Sequence, residues 1–189
     1  MSFKQNKAKF SRRHLLKGGV SMTLAGLFFM PKTVWAKHYL DADEARKLIW
    51  GDLIFQPHPV ELSPAQMKSI KKASKTRVRN AKMNAWKTQA GQWFVLDQII
   101  GKHENIDIAV GIDEKGQIKG IEVLEYRESY GHQIINPKWM AQFHGRDSSK
   151  VLKLDKQIKN ISGATLSCRH ITDGVNRLTH TWDQVLRSE

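Results

Sequence analysis

Between Gly91 and Tyr126 apolar and polar residues alternate with a period of two. Phe94-Val95-Leu96 opens a run that continues through Ile99 and Ile100; Ile106, Ile108, Val110 and Ile112 then occupy every second position, and Gln117 to Tyr126 repeats the alternation. Alternation places one set of side chains on a buried face, so the pattern predicts three half-buried strands. The second and third are separated by Asp113-Glu114-Lys115-Gly116. Asp opening and Gly closing that tetrapeptide suit a tight reversal with Gly in the left-handed region. An antiparallel meander over residues 93–127 follows.

Elsewhere the period is that of a helix. Cys168, Ile171, Val175, Leu178 and Trp182 recur at steps of 3, 4, 3 and 4, which lines them along one face of a C-terminal helix. Asp41 to Trp50 carries acids early and Arg46 and Lys47 late, matching the helix dipole. Ser63, Pro64 and Gln66 compose a capping box with Pro at the first helical position. Residues 78–90 show no clear period. The expected fold is α+β: an antiparallel meander flanked by N- and C-terminal helices, with residues 37–90 as an N-terminal helical segment and 91–189 as the core.

Charge changes this picture at the N-terminus. The chain has 189 residues, a formal charge of +13 and one Cys. A single Cys excludes an internal disulfide, a thiolate zinc site and Cys-linked haem. Residues 1–36 contain seven Lys and Arg and no acid, an uncharged run from Gly18 to Met30, and Val34-Trp35-Ala36 with small residues at its outer positions. These are the parts of a cleavable export signal. Ser11-Arg12-Arg13-His14-Leu15-Leu16-Lys17 resembles the twin-arginine motif S-R-R-x-F-L-K, with Leu15 where Phe is usual. The expectation is periplasmic, by the twin-arginine pathway.

Without those seven cations the charge is +6, and nucleic-acid binding loses its main argument. The remaining excess is concentrated in Lys68, Lys71, Lys72, Lys75, Arg77, Arg79, Lys82 and Lys87, with no acid from 62 to 96. Such a run is either a solvated face or a dock for an acidic partner, anionic lipid or phosphate. The seven His after Ala36 form no H-x-x-x-H or H-E-x-x-H pair, so no metal site is expected.

Just before the C-terminal helix stands Ile161-Ser162-Gly163-Ala164-Thr165-Leu166-Ser167. Small residues there leave backbone amides and a hydroxyl accessible at a helix N-terminus, which suits a phosphate group. They suit an ordinary Ser or Thr N-cap equally well.

The tetrapeptide Ser162-Gly163-Ala164-Thr165 resembles the S-G-A-T flavinylation motif of the FMN-binding domain, found in FMN-carrying subunits of the sodium-pumping NADH:quinone oxidoreductase, in the Rnf complex and in exported stand-alone proteins. Gly101-Lys102-His103-Glu104, Tyr126-Arg127-Glu128-Ser129-Tyr130-Gly131 and Trp139-Met140-Ala141-Gln142-Phe143-His144-Gly145 extend the likeness, in order, to about Leu178. The chain departs from the family at Lys159, where an acid is usual, and keeps only Gly131 of the P-G-L-G loop of the pump subunits. The resemblance implies FMN esterified through its phosphate to Thr165 by a flavin transferase that uses FAD and magnesium. It also implies a cofactor site built from Ser162, Gly163, Ala164, Leu166, Ser167, Glu128, Tyr130, Gly131, Lys102 and His103.

Each of these residues has a plainer reading. Glu128 and Tyr130 border either a flavin or solvent; Lys102 and His103 are by default a turn. Trp139 and Phe143 are a core pair or a flavin wall, and Cys168, on the apolar stripe, reads as a buried inert thiol. The functional expectation is an electron carrier with no catalytic residue of its own, exchanging electrons with a membrane-bound donor or acceptor. The alternative is a basic exported protein without cofactor that docks on anionic lipid or polymer.

Overall fold

A computed structural model describes residues 37–189; the expected export signal, with Arg12 and Arg13, lies outside the described residues. The elements in chain order are β1 (Lys37–His38), α1 (Ala42–Trp50), β2 (Gln56–Pro57), β3 (Val60–Glu61), α2 (Pro64–Ser74), β4 (Lys82–Lys87), β5 (Trp93–Ile100), β6 (Asn105–Ile112), β7 (Ile118–Tyr126), α3 (Pro137–Met140) and α4 (Thr165–Gln184). The strands form one antiparallel sheet in the order β1-β7-β6-β5-β4-β2, with β3 also paired to β4. The fold is α+β, as the alternation and the 3, 4 stepping require. Among the described residues no helix is long and apolar enough to cross a membrane.

The meander is β5-β6-β7, and its register joins Val95 to Val110 and Val110 to Ile121. With Ala85 of β4 opposite Val95, a row of small and β-branched side chains crosses four strands on the inner face. Gly116 turns at φ +84°, and the Asp113 carboxylate accepts the amides of Lys115 and Gln117, as an Asx-type reversal does. Segment 37–90 supplies four strands besides its two helices. Three of those strands are two residues long, and β4 places Met83 and Ala85 inward between exposed Lys82 and Asn84.

Helix α4 lies on the inner face. Cys168, Ile171, Val175, Leu178 and Trp182 are all buried in one cluster with Val95, Ile99, Ile108 and Val110. Burial of such side chains is the main stabilising contribution, about 1.5–3 kcal/mol for each large one. Gly174 in mid-helix admits Ile99: a Cβ there would stand 2.5 Å from the Ile99 Cδ1. The outer face is covered by α1, whose Ala45 and Ile49 pack on Phe94 and Ala109. Gly111 and Gly120 face each other across β6 and β7. A Cβ on Gly111 would lie 2.5 Å from Ile49 and 2.7 Å from Trp50, so the glycine pair is the recess into which α1 fits. α2 carries the capping box expected of it, Ser63 with Gln66, and α1 has one that was not expected, Asp41 with Glu44.

Candidate functional site

The long connection from α3 to α4 is fixed at two points before it reaches the small-residue turn. The Asn176 side chain, buried on α4, accepts the Leu152 amide at 2.8 Å and donates to the Leu152 carbonyl at 2.9 Å. Trp139 donates its Nε1–H to the Lys159 carbonyl at 2.6 Å, and the Lys159 amide donates to Gln142 Oε1 at 2.8 Å. The Trp139 and Phe143 rings meet edge-on at 5.3 Å inside the core. That pair is therefore core packing. The Lys159 side chain, exposed, takes no part in holding the loop; its backbone does.

From Lys159 the chain enters the turn. The Ala164 amide donates to the Ile161 carbonyl at 3.0 Å, and Gly163 adopts φ +83° with nothing within 4 Å of where a Cβ would stand. Only glycine takes that backbone freely, and the space over it is open. Helix α4 begins at Thr165 with Ala164 as its N-cap residue, and no side chain caps it. The ordinary Ser or Thr cap allowed by the sequence is thus not what forms: Ser162 lies two residues too early and Thr165 is already the first helical residue. The Ala164 carbonyl accepts from Cys168. The amides of Thr165, Leu166 and Ser167 donate to no acceptor among the described residues, which leaves three aligned N–H groups at the positive end of a 20-residue helix.

Thr165 is half-buried, Ser162, Gly163 and Leu166 are exposed, and Ala164 and Ser167 are buried. Ser167 points back to the sheet. Its hydroxyl is 3.0 Å from the Tyr126 phenol, which donates to the Tyr130 carbonyl at 2.5 Å. Burial pushes the Tyr126 phenol pKa up, against the opposing effect of the Ser167 hydrogen bond, so the phenol keeps its proton and remains a donor. Gly131, at φ +92°, is buried against both hydroxyls: a Cβ there would be 2.7 Å from the Tyr126 oxygen and would overlap Ser167 Oγ. Gly131 is therefore placed directly beside the first turn of α4, and the Tyr130 side chain, 84% exposed, is left free above it.

Glu128 does something the sequence reading did not foresee. Its Oε1 accepts the amides of His103, at 2.5 Å, and Glu104, at 3.1 Å, and so ties the β5–β6 turn to the segment after β7. Gly101 leaves room for that carboxylate. Lys102 and His103 are exposed on the turn that Glu128 holds. They connect to Thr165 through Glu128, β7, Tyr126 and Ser167, with no hydrogen bond or ion pair of their own to the helix among the described residues. Cys168 is buried with its thiol pKa raised chiefly by burial, which favours the inert thiol. Asn160 Oδ1, just ahead of the turn, is buried and without a hydrogen-bond partner. Tyr126 and Asn176 were the important residues that periodicity alone hid, since one ends a strand alternation and the other interrupts an apolar stripe.

The arrangement is an open ledge. A trough of about 680 Å³ elsewhere on the molecule, lined in part by Asn84, Asp107 and Lys82, shares no residue with it. What the ledge offers is a hydroxyl on a helix N-terminus, three free amides, an accessible glycine and an exposed leucine.

Residues 101–180 match the family model of the FMN-binding domain. The matched segment runs from the turn held by Glu128 to His180 of α4, and it contains every residue of the ledge. No curated protein matches the chain. The FMN-binding domain match supports a flavin-binding protein with FMN as its ligand. The residues present fit that group, because a phosphate is the anion that three converging N–H donors and a helix dipole accept, and Gly163 leaves the approach clear.

Proposed function

We infer that the protein is a periplasmic electron carrier that holds one FMN through a phosphoester to Thr165. The observation that carries the reading is the uncapped N-terminus of α4. A hydroxyl stands at its first residue with three unpaired amides around it, inside the FMN-binding domain match. Ester formation joins the Thr165 oxygen to the phosphorus of the FMN half of FAD, with AMP leaving and the hydroxyl proton released; a magnesium-dependent flavin transferase is the partner for that step. When bound, the flavin supplies the redox chemistry. The chain's own residues hold and orient it: the amides of Thr165, Leu166 and Ser167 face the phosphate, Gly163 admits it, and the exposed Leu166 and Tyr130 are apolar surface beside it. Glu128 and Tyr126 keep the two loops and the helix in one arrangement.

The twin-arginine leader supports export of a folded domain, and a covalent tether keeps a cofactor that is not resupplied outside the cytoplasm. The exposed cations Lys68, Lys71, Lys72 and Lys75 on and after α2 form no ion pair among the described residues, which suits docking of an acidic or membrane-bound redox partner. The reading without a cofactor is disfavoured by the family match.

The test is Thr165→Ala, coexpressed with a flavin transferase. Wild-type protein should stay fluorescent on a denaturing gel and carry the mass of one FMN residue; the variant should lose both, while Thr165→Ser retains part. Wild-type protein with no mass beyond its polypeptide overturns the reading. Because no side chain caps α4, loss of the Thr165 hydroxyl should change stability by less than the 0.5–2 kcal/mol that a true N-cap costs.

A further inference from the structure

A second cavity, of about 290 Å³, opens farther along α4. One wall is the α2–β4 connection with Arg77 and Arg79, another is the end of β5 with Ile99 and Ile100, and the third is α4 with His170 and Asp173. Three features set it apart from an incidental dent. Arg77 and Arg79 are exposed and form no ion pair among the described residues, whereas Arg177, on the α4 wall, is occupied by Asp97. His170 Nδ1 is buried and has no hydrogen-bond partner. Ile100 is 40% exposed although it ends a core strand, and Gly174 lets Ile99 lie flush with the helix to form an apolar floor.

Unpaired guanidiniums recognise planar oxyanions through paired N–H donors. A buried imidazole nitrogen without a partner costs free energy unless something fills its valence. An exposed isoleucine, Ile100, beside the buried Ile99 favours an apolar body. We propose that this cavity binds a small organic carboxylate with an apolar body. Arg77 and Arg79 pair the carboxylate, Ile99 and Ile100 cover the body, and His170 Nδ1 makes the inner hydrogen bond. Asp173 stands on the same wall. Burial raises its carboxyl pKa, against the lowering influence of His170 and Arg169, a direction that lessens the repulsion a bound carboxylate would meet there. Inorganic phosphate satisfies the arginines but leaves the apolar floor bare. The site is independent of the reading at Thr165, since no residue is shared.

The experiment is a titration of the mature protein with benzoate, followed by calorimetry and by the ¹⁵N resonances of the His170 ring. The expected result is saturable one-to-one binding that moves the His170 signals. Arg77→Gln with Arg79→Gln should weaken it about tenfold or more, and Lys71→Gln with Lys72→Gln should not change it. Phosphate should bind at least about tenfold more weakly than benzoate. Unsaturable binding, an unmoved His170, equal weakening by the lysine variant, or phosphate binding as tightly as benzoate would each overturn the proposal. Flavin content is read separately by fluorescence, so failure here and failure at Thr165 are distinguishable.

Discussion

The phenol oxygen of Tyr126 stands 3.0 Å from the hydroxyl of Ser167, joining the last residue of a central strand to the first turn of α4. The phenol has one proton and gives it to the Tyr130 carbonyl, so Ser167 is the donor in the pair. Gly131 closes this knot from the side. Gly131→Ala is expected to destabilise the domain by about 1–3 kcal/mol, from the left-handed backbone alone, with the overlap on Ser167 adding to it. At about 2–4 °C per kcal/mol for a domain of this size, thermal unfolding of the mature protein should show a clear drop. Flavin loading at Thr165 should fall with it. An unchanged midpoint would mean that the close approach at Gly131 is relieved without cost.

The basic surface on and after α2 gives a second expectation. Lys71, Lys72 and Lys75 are exposed and form no ion pair among the described residues, so their replacement by Glu should act on partner encounter and leave flavin content alone. Stopped-flow exchange with the redox partner at low salt should slow by about tenfold or more, the lower end of electrostatic steering effects, and the difference should shrink as salt is added. Acids at the C-terminal end of α2 also oppose its dipole, costing about 0.3–1 kcal/mol each. The Gln variants separate the two effects. Exchange that is indifferent to all three reversals would reduce this surface to a solvated face.

Much of this architecture could be read directly. The alternation of β5 to β7, the reversal at Gly116, the charge order of α1, the box at Ser63 and the stripe from Cys168 to Trp182 are all local signals, and local chemistry decides them. What remained hidden depends on partners distant in sequence. β4 carries the inward pair Met83 and Ala85, but a six-residue strand edged by lysines has too short a period to stand out. β1, β2 and β3 are two residues each and have no period at all. Glu128 offered no sign that it would accept amides 24 and 25 residues away. The small residues ahead of α4 signalled an accessible helix N-terminus. That Ala164 would occupy the N-cap, leaving the helix uncapped, was not legible, because Ser and Thr nearby point to the commoner solution.

Export gives the last expectation. Arg12 and Arg13 lie outside the described residues, and the prediction rests on the motif around them. Replacing both by Lys keeps the charge and removes the guanidiniums, so the precursor should accumulate in the cytoplasm, with mature protein beginning near Lys37 absent from the periplasmic fraction. Normal periplasmic yield would sink the twin-arginine assignment.

The two-residue strand β1 bears on how the chain is processed. Lys37 pairs with Tyr126 and His38 with Glu125, and the Tyr39 amide donates to the Leu124 carbonyl at 2.9 Å. A peptidase reads its substrate as a free, extended chain, whereas here Lys37, just after the cleavage point expected at Ala36, is already stitched to a sheet edge. Cutting there would have to precede the pairing of Lys37 or wait for that edge to peel away. Once cut, the new terminal ammonium would lie opposite Tyr126, so maturation of the leader and completion of the sheet would meet at the strand that anchors Ser167.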